Sequence, residues 1–288
     1  MNNFSSSVWI NGQPQNTIAV TDRGLQYGDG IFETIRLQNA CLPLLQWHLE
    51  RLAASAKRLS IPLDLPQINN ELQQFVASLP VKDAVIKIIL TRGVGERGYL
   101  PPLNPSPARI FIASNPRDWS ALAEQGLVLR LCRQRIMELP ELAGIKILGR
   151  LDLVLARNEW RNSEIHEGLL LDSRDNLVEG TMSNVFLVLS DRLLTPLLDN
   201  AGVNGVARRI VCEKLANEIG VPVEQRHICA DDLYRAEEVF ICNSVAGVMP
   251  VRQCEAHTYS GMQTARKLRQ YFEAYVEQQI ASDWRMLS

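Results

Sequence analysis

The chain has 288 residues, of which 46% are hydrophobic and 22% are charged, as is usual for a globular protein with a substantial core. Its formal net charge of −2 gives no reason to expect nucleic acid or an anionic membrane as a partner. No apolar stretch approaches the roughly 20 residues that span a bilayer, and residues 1–7 do not resemble a signal peptide. We therefore expect a cytoplasmic protein.

The spacing of cysteines and histidines argues against disulfide bonds and against a metal centre. The six cysteines are scattered without a CxxC pair, so we expect buried free thiols. The four histidines form neither HxxxH nor HExxH, so we predict no metal site.

The first 117 residues predict a smaller α+β domain. Asn11-Gly12 indicates a tight hairpin turn. Residues 93–107 contain four prolines and are expected to form an irregular loop. Two helices are predicted, one opening at Pro43 and reaching Leu59 and one spanning residues 68–79. The predicted strands are residues 8–10, 18–20, 31–37, 84–91 and 109–114.

Residues 115–118 are typical of a domain boundary, and residues 118–288 predict a larger domain with a β-rich core and outer helices. The predicted strands are residues 127–131, 168–171, 177–179, 184–189, 193–194, 222–224 and 238–242. The predicted helices are residues 149–160, 205–219 and 261–280.

Lys146 lies in a nearly apolar window, residues 142–148. A lysine in dry surroundings has a lowered pKa and a nucleophilic amine, and such lysines form Schiff bases with carbonyl cofactors. The alternative is a lysine whose stem packs on the core while its ammonium reaches water. This window taken alone favours the alternative.

Other residues are candidates for holding a cofactor such as pyridoxal 5′-phosphate (PLP). Glu179, at the end of an apolar strand, is a candidate anion for a pyridine nitrogen, or else a solvated turn residue. Arg51 is a candidate phosphate ligand, or else a charge on a helix surface. The helix start at residues 205–207 offers backbone N–H groups, and Ser244 a hydroxyl, to the same phosphate.

Seven segments, in this order along the chain, resemble the fold-type IV PLP enzymes. That family includes D-amino acid transaminases, branched-chain aminotransferases and aminodeoxychorismate lyases, and the resemblance covers nearly the whole chain. The segments are Asp22-Arg23-Gly24, Tyr27-Gly-Asp-Gly-Ile-Phe-Glu33, His48-Leu-Glu-Arg51-Leu52, Gly144-Ile-Lys146, Val178-Glu-Gly180, Ser183-Asn-Val-Phe186 and Gly202-Val-Asn-Gly-Val-Ala-Arg208.

The resemblance implies a role for each candidate. The matching lysine carries PLP, so Lys146 would be the catalytic residue, and Glu179 would contact the pyridine nitrogen. The matching phosphate ligands are Arg51, Val206, Ala207 and Ser244. The family also implies a two-domain fold and a homodimer.

Within the family, residues 92–99, 142–150 and 201–205 are most similar to the aminodeoxychorismate lyases. These enzymes make 4-aminobenzoate, a folate precursor, and pyruvate from 4-amino-4-deoxychorismate. Cations are needed for a substrate with two carboxylates, and Arg97 and Arg109, beside the proline-rich loop, are the candidates.

Two alternatives remain open. The segments Phe32-Glu-Thr34 and Glu179-Gly-Thr-Met-Ser-Asn184 are equally typical of the aminotransferases. The reaction of the aminotransferases begins with the same proton abstraction as that of the lyases. The other alternative is a binding protein with a degenerate site that holds no PLP.

Overall fold

The computed structural model describes the backbone of residues 6–287 and the side chains of residues 6–281. Residues 1–5, part of the segment that does not resemble a signal peptide, lie outside the described residues. Two compact units are found. The first comprises the chain up to Arg117 together with residues 145–149 and 278 onward, and the second comprises residues 118–144 and 150–277. The division into domains 1–117 and 118–288 stays a prediction.

The first unit is built on an antiparallel sheet with the strand order β2–β1–β5–β4–β3. Helix α2 packs against β3, and helix α3 packs against β5. The bounds of these elements are β1 (Ser7–Ile10), β2 (Gln13–Pro14), α1 (Arg23–Tyr27), β3 (Gly30–Leu37), α2 (Leu45–Arg58), α3 (Leu65–Ala77), β4 (Ala84–Thr91) and β5 (Arg109–Ser114).

Strand and helix periodicities explain how this unit is assembled. Alternate residues of β4 are buried, which directs one face of the strand into the core. Helix α2 buries a stripe at helical spacing: His48, Arg51, Leu52, Ser55 and Ala56. Two of these five side chains are ionisable, and the inward face of β3 carries a carboxylate, Glu33, among its apolar residues.

The second unit is built on a ten-stranded sheet within the described residues. The strand order is β11–β10–β9–β13–β14–β6–β7–β8–β12, and β15 pairs with β14. The bounds are β6 (Leu127–Leu131), β7 (Glu167–Leu171), β8 (Asn176–Gly180), β9 (Asn184–Leu189), β10 (Arg192–Pro196), β11 (Val223–Arg226), β12 (Ile228–Cys229), β13 (Glu238–Asn243), β14 (Gly247–Cys254) and β15 (His257–Thr258).

Helices lie between and after these strands along the chain. A π-helical turn, Val211–Leu215, joins α6 to α7, and a short 3₁₀ turn occupies Pro140–Leu142. The bounds are α4 (Ser120–Gln125), α5 (Leu151–Arg157), α6 (Val206–Ile210), α7 (Ala216–Glu218), α8 (Ala230–Arg235) and α9 (Gln263–Leu287).

The core of the second unit is apolar and closely packed. Phe186 on β9 pairs directly with Phe240 on β13, and their stacked rings have centroids 4.8 Å apart. Strands β7 to β10 are buried on nearly every residue, as expected for a central sheet covered on both faces. The predicted α+β class, with a β-rich second part, is confirmed.

Several local predictions differ from the structure. The strand predicted at residues 18–20 is wrong, because these residues form no regular structure and leave Ile18 and Val20 exposed. Strand β14 was not predicted, and it contains Pro250, a residue that is unusual in a central strand. Pro250 is accommodated because pairing with β6 begins only at Val251. The proline-rich loop is irregular, as predicted.

Among the described residues, no helix is both long and apolar enough to cross a membrane. The six cysteines all lie in the described range and are free, as predicted, although Cys229 is exposed and Cys212 is only partly buried. Burial raises the pKa of the Cys132 and Cys254 thiols to about 12, which keeps both thiols protonated at neutral pH.

Candidate active site

Lys146 lies on a short segment, residues 145–149, that adds to the edge of the first unit's sheet. The Phe32 amide donates to the Lys146 carbonyl at 3.0 Å, and the Leu148 amide donates to the Gly30 carbonyl at 3.0 Å. Ile147 forms an antiparallel bridge with Ile31. These backbone bonds fix which side of the segment each residue faces, and so they fix the direction of the Lys146 side chain.

The Lys146 amine lies beside an aromatic ring, between two buried apolar neighbours in sequence. The flanking residues Ile145 and Ile147 are buried, and Lys146 itself is partly buried. Its Nζ lies 4.4 Å from the centroid of the Phe32 ring. The apolar window therefore places this amine, partly buried, against an aromatic ring, and the nucleophilic role of Lys146 stays a prediction.

A buried ionic cluster joins β3 to α2 in the same unit. The guanidinium of Arg51 donates from Nε to Glu33 Oε1 at 2.8 Å and from Nη2 to Glu33 Oε2 at 2.5 Å. The ring of His48 lies with Nδ1 2.6 Å from Glu33 Oε2. Burial alone would raise the pKa of Glu33, but the charge and hydrogen bonds of Arg51 and His48 lower it to about 2. The carboxylate is therefore ionised at every physiological pH.

His48 is fully buried and carries a polar atom without a partner. Burial lowers its pKa, Glu33 opposes that shift, and the charges of Arg51 and Lys146 lower it further. A neutral ring that donates from Nδ1 to Glu33 presents Nε2 as an acceptor. Among the described residues this Nε2 has no hydrogen-bond partner. The charge of Lys146 is close enough to lower the pKa of the buried imidazole.

Glu33 and His48 were not predicted as site residues. The signal for Glu33 was available, because it alternates with Ile31, Ile35 and Leu37 on the inward face of β3. A carboxylate at such a position needs a cation, and Arg51 supplies it. The structure thus places Arg51, predicted as a phosphate ligand, in a bidentate pair with Glu33, which fixes its guanidinium plane.

Glu179 is held by two donors within the second unit. It lies on β8 and is 2% exposed. Its Oε1 accepts from Arg150 Nη2 at 2.7 Å, and its Oε2 accepts from the Val203 amide at 2.7 Å. The carboxylate is therefore fixed in position. Arg150, which was not predicted as a site residue, is its charged partner.

The helix start at Gly205 lies beside Asn184, which also belongs to the second unit. Asn184 Nδ2 donates to the Val203 carbonyl at 2.8 Å. A Cβ on Gly205 would lie 2.0 Å from Asn184 Oδ1, so only glycine fits beside this amide. Val206 and Ala207 open α6 and are buried. Their placement is consistent with an anion site made by backbone N–H groups, which stays a prediction for both residues.

The remaining candidates lie on loops or in other ion pairs. Ser244 is partly buried in the turn after β13. Arg97 is exposed. Arg109 makes a bidentate pair with Glu71, with both N–O distances 2.9 Å, which supports a structural role for its guanidinium. The ligand-binding roles of these three residues stay predictions.

The proline-rich loop that carries Arg97 is anchored by Arg23, a residue of the first resemblance segment that had no assigned role. The buried guanidinium donates to the carbonyls of Gly98 at 3.0 Å and Tyr99 at 2.9 Å. Asp29 Oδ2 accepts from Arg23 Nε at 2.8 Å and orients it. The loop is thus fixed at the residues directly after Arg97.

The ionic cluster predicts a specific response to acid. The pKa of Glu33 in the folded protein, about 2, is lower than its ordinary value of 4.5. Its ionisation therefore stabilises the fold above pH 4.5, by roughly 3 kcal/mol, and this contribution is lost as the pH falls toward 2. We expect Glu33→Gln to be less stable than the wild type at pH 7, with the difference shrinking on acidification.

Urea denaturation at pH 7, 5 and 3 measures this difference. The exposed Glu50 lies on α2 as well, and Glu50→Gln is the matched control with little change at any of the three values. A difference between Glu33→Gln and the wild type that is constant with pH would contradict the assignment of Glu33 as the titrating group.

Comparison with known proteins identifies the family. Residues 30–254 match the family model for amino-transferase class IV. The aminodeoxychorismate lyase of Vibrio harveyi is 38% identical over 245 residues, which cover 84% of this chain and 89% of that protein.

Two solved structures show the same fold. The 4-amino-4-deoxychorismate lyase from Pseudomonas aeruginosa has a TM-score of 0.87 and 44% identity, covering 92% of this chain and 97% of its own. The branched-chain amino acid aminotransferase from Escherichia coli has a TM-score of 0.82 and 24% identity, with coverages of 94% and 95%. The predicted resemblance and fold type are confirmed, and the chain belongs to the class IV aminotransferase family.

Proposed function

We propose that this chain is an aminodeoxychorismate lyase that converts 4-amino-4-deoxychorismate to 4-aminobenzoate and pyruvate. The observation that carries the proposal is the placement of the Lys146 amine on a rigid segment beside an aromatic ring and a buried ionic cluster. The 44% identity to a solved lyase, across nearly the full length of both chains, favours this reaction over that of the aminotransferases. We also propose that the protein acts in folate biosynthesis, is located in the cytoplasm and forms a homodimer.

We infer that the cofactor is PLP, because the chain carries groups that match the functional groups of PLP. Lys146 offers a partly buried primary amine beside an aromatic ring for the aldehyde. Glu179 offers a fixed, buried carboxylate for the pyridine nitrogen. The proposed phosphate ligands are Arg51, Val206, Ala207 and Ser244.

When bound, PLP supplies an electron sink for the electron pair that remains after a proton leaves the substrate carbon. Lys146 Nζ takes that proton from C4 of the substrate ring and holds it, acting as a general base. Loss of the enolpyruvyl group then leaves an aromatic ring, which makes the overall reaction favourable. Glu33 orients Arg51, and His48 holds the same carboxylate in place.

An aminotransferase remains the alternative, because the Escherichia coli aminotransferase shares the fold. It would use the same amine for the same first proton transfer. We therefore assign the choice between the two reactions to the substrate-binding residues, of which Arg97 and Arg109 are proposed carboxylate ligands.

The first test replaces the amine and compares the two reactions. We expect the wild type to form 4-aminobenzoate and pyruvate from aminodeoxychorismate, and Lys146→Ala to lose this activity together with the visible absorption band of bound PLP. The exposed Lys57 provides the control variant, Lys57→Ala, which keeps both. A wild type that forms D-glutamate from D-alanine and 2-oxoglutarate, but no 4-aminobenzoate, would reverse the assignment.

The second test concerns the ion pair of Glu179. Its side chain is 3% exposed and that of Arg150 is 15% exposed, so loss of the cation leaves a buried carboxylate without its charged partner. We expect Arg150→Met to weaken PLP binding by roughly tenfold, in proportion to the loss of one charge-assisted hydrogen bond. Arg150→Lys should recover part of the affinity.

Titration of the apoprotein with PLP, followed by fluorescence, measures this affinity without any assay of turnover. The exposed Arg174, also in the second unit, provides the control variant Arg174→Met with wild-type binding. Equal PLP affinity of Arg150→Met and the wild type would remove Glu179 and its partner from the proposed cofactor site.

A further inference from the structure

A second buried carboxylate of the second unit, Glu167, is held by a loop. Glu167 begins β7 and is 4% exposed. Its Oε1 accepts from the Gly168 amide at 2.9 Å, from the Thr181 amide at 3.1 Å and from the Thr181 hydroxyl. Its Oε2 accepts from the Met182 amide and the Ser183 hydroxyl, both at 3.1 Å. Thr181, Met182 and Ser183 make up the β8–β9 loop, so four of these five donors belong to it.

The charge of Glu167 is costly to bury, because every hydrogen bond found for it in the described part of the chain comes from a neutral donor. Burial raises the pKa of Glu167, and its hydrogen bonds, that of the Thr181 hydroxyl above all, oppose the shift. A glutamine of the same shape would offer one accepting oxygen instead of two. The arrangement of the β8–β9 loop therefore depends on the carboxylate.

The β8–β9 loop lies between two residues that hold the proposed cofactor site together. Glu179, on β8, is two residues before Thr181, and Asn184 begins β9 directly after the loop. Asn184 Nδ2 donates to the Val203 carbonyl at 2.8 Å, and the Val203 amide donates to Glu179 Oε2 at 2.7 Å. These contacts close a ring through β8, the loop, β9 and Val203. A shift of the loop therefore acts on both sides of the Glu179 carboxylate.

The same loop is joined to the end of β13. Asn243, the last residue of that strand, donates from Nδ2 to the Met182 carbonyl at 3.3 Å. Its Oδ1 accepts from the Ala246 amide at 2.7 Å, which fixes the turn after the strand. Ser244, a proposed phosphate ligand, directly follows Asn243. The loop thus contacts or adjoins the segments that carry two proposed ligands of PLP, Glu179 and Ser244.

We propose that Glu167 is a positioning residue for the cofactor: its carboxylate fixes the β8–β9 loop and, through the loop, the carboxylate of Glu179. This inference rests on the proposed function, in which Glu179 contacts the pyridine nitrogen of PLP. Glu167 acts through the residues that it holds and is not itself a ligand. A group that is fixed before binding loses less entropy when the ligand arrives, so removal of the Glu167 carboxylate lowers the affinity for PLP.

Fluorescence titration of the apoprotein with PLP tests this role without any assay of turnover. We expect Glu167→Gln to raise the dissociation constant of PLP about tenfold, because the loop loses charge-assisted hydrogen bonds. Ser183→Ala removes one donor and leaves the carboxylate in place, and it should raise the same constant about threefold. Ser183→Ala decides the question on its own if Glu167→Gln does not fold.

A double-mutant cycle separates positioning from a general loss of stability. If Glu167 acts through Glu179, Glu167→Gln should raise the dissociation constant less than about threefold in a Glu179→Gln background, where the charge to be positioned is absent. A purely structural role would give the same factor in both backgrounds.

Glu238→Gln is the matched control. Glu238 is also buried in the second unit, and it accepts from the amides of Thr264 at 3.0 Å and Ala265 at 3.1 Å at the start of α9. This variant should have a lower melting temperature than the wild type, as Glu167→Gln should. It should nevertheless bind PLP with wild-type affinity, because Glu238 supports the start of a helix outside the proposed cofactor site.

The proposal is overturned if Glu167→Gln and Ser183→Ala bind PLP with wild-type affinity, if Glu238→Gln loses as much affinity as Glu167→Gln, or if the cycle shows no coupling to Glu179. With any of these results, a wild type that binds PLP and converts aminodeoxychorismate retains the proposed function. A wild type that binds PLP in a way that depends on Glu167 but forms no 4-aminobenzoate would refute the lyase alone. A wild-type apoprotein that binds no PLP would overturn both.

Discussion

The backbone pairing of residues 145–149 with β3 is the constraint on which the candidate site depends. Two amide-to-carbonyl bonds at 3.0 Å set the register, and a one-residue shift would turn Lys146 to the other face of the sheet. In the observed register its amine meets the ring of Phe32, and its charge acts on His48. Pairing with the edge of the sheet therefore positions the amine of Lys146 as a candidate catalytic group.

The ionic cluster behind this edge has a second consequence. Glu33 engages two of the five N–H donors of Arg51, so the fold itself sets the orientation of the guanidinium. Preorganisation of this kind lowers the entropy lost when a ligand binds. In the second unit, Arg150 and the Val203 amide do the same for Glu179. Each unit thus holds its own charged side chains rigidly by contacts within that unit.

Much of the fold and the principal candidates could be predicted from the sequence, because hydrophobic periodicity and short motifs are local. The helix that carries Arg51 and the strand that carries Glu179 were predicted in this way. What could not be predicted depends on pairing between distant segments. The hydrogen bonds between Phe32 and Lys146 and between Arg150 and Glu179 join residues far apart in sequence. The same is true of the ion pair between Arg109 and Glu71.

The most direct measurement of the central claim is the site at which PLP attaches. Borohydride reduction of the holoprotein would fix the cofactor covalently to its lysine, and mass spectrometry of the digested protein would locate it. The account predicts one modified peptide, with the added mass on Lys146 and on no other lysine. Attachment to any other lysine, or a protein that binds no PLP, would contradict it.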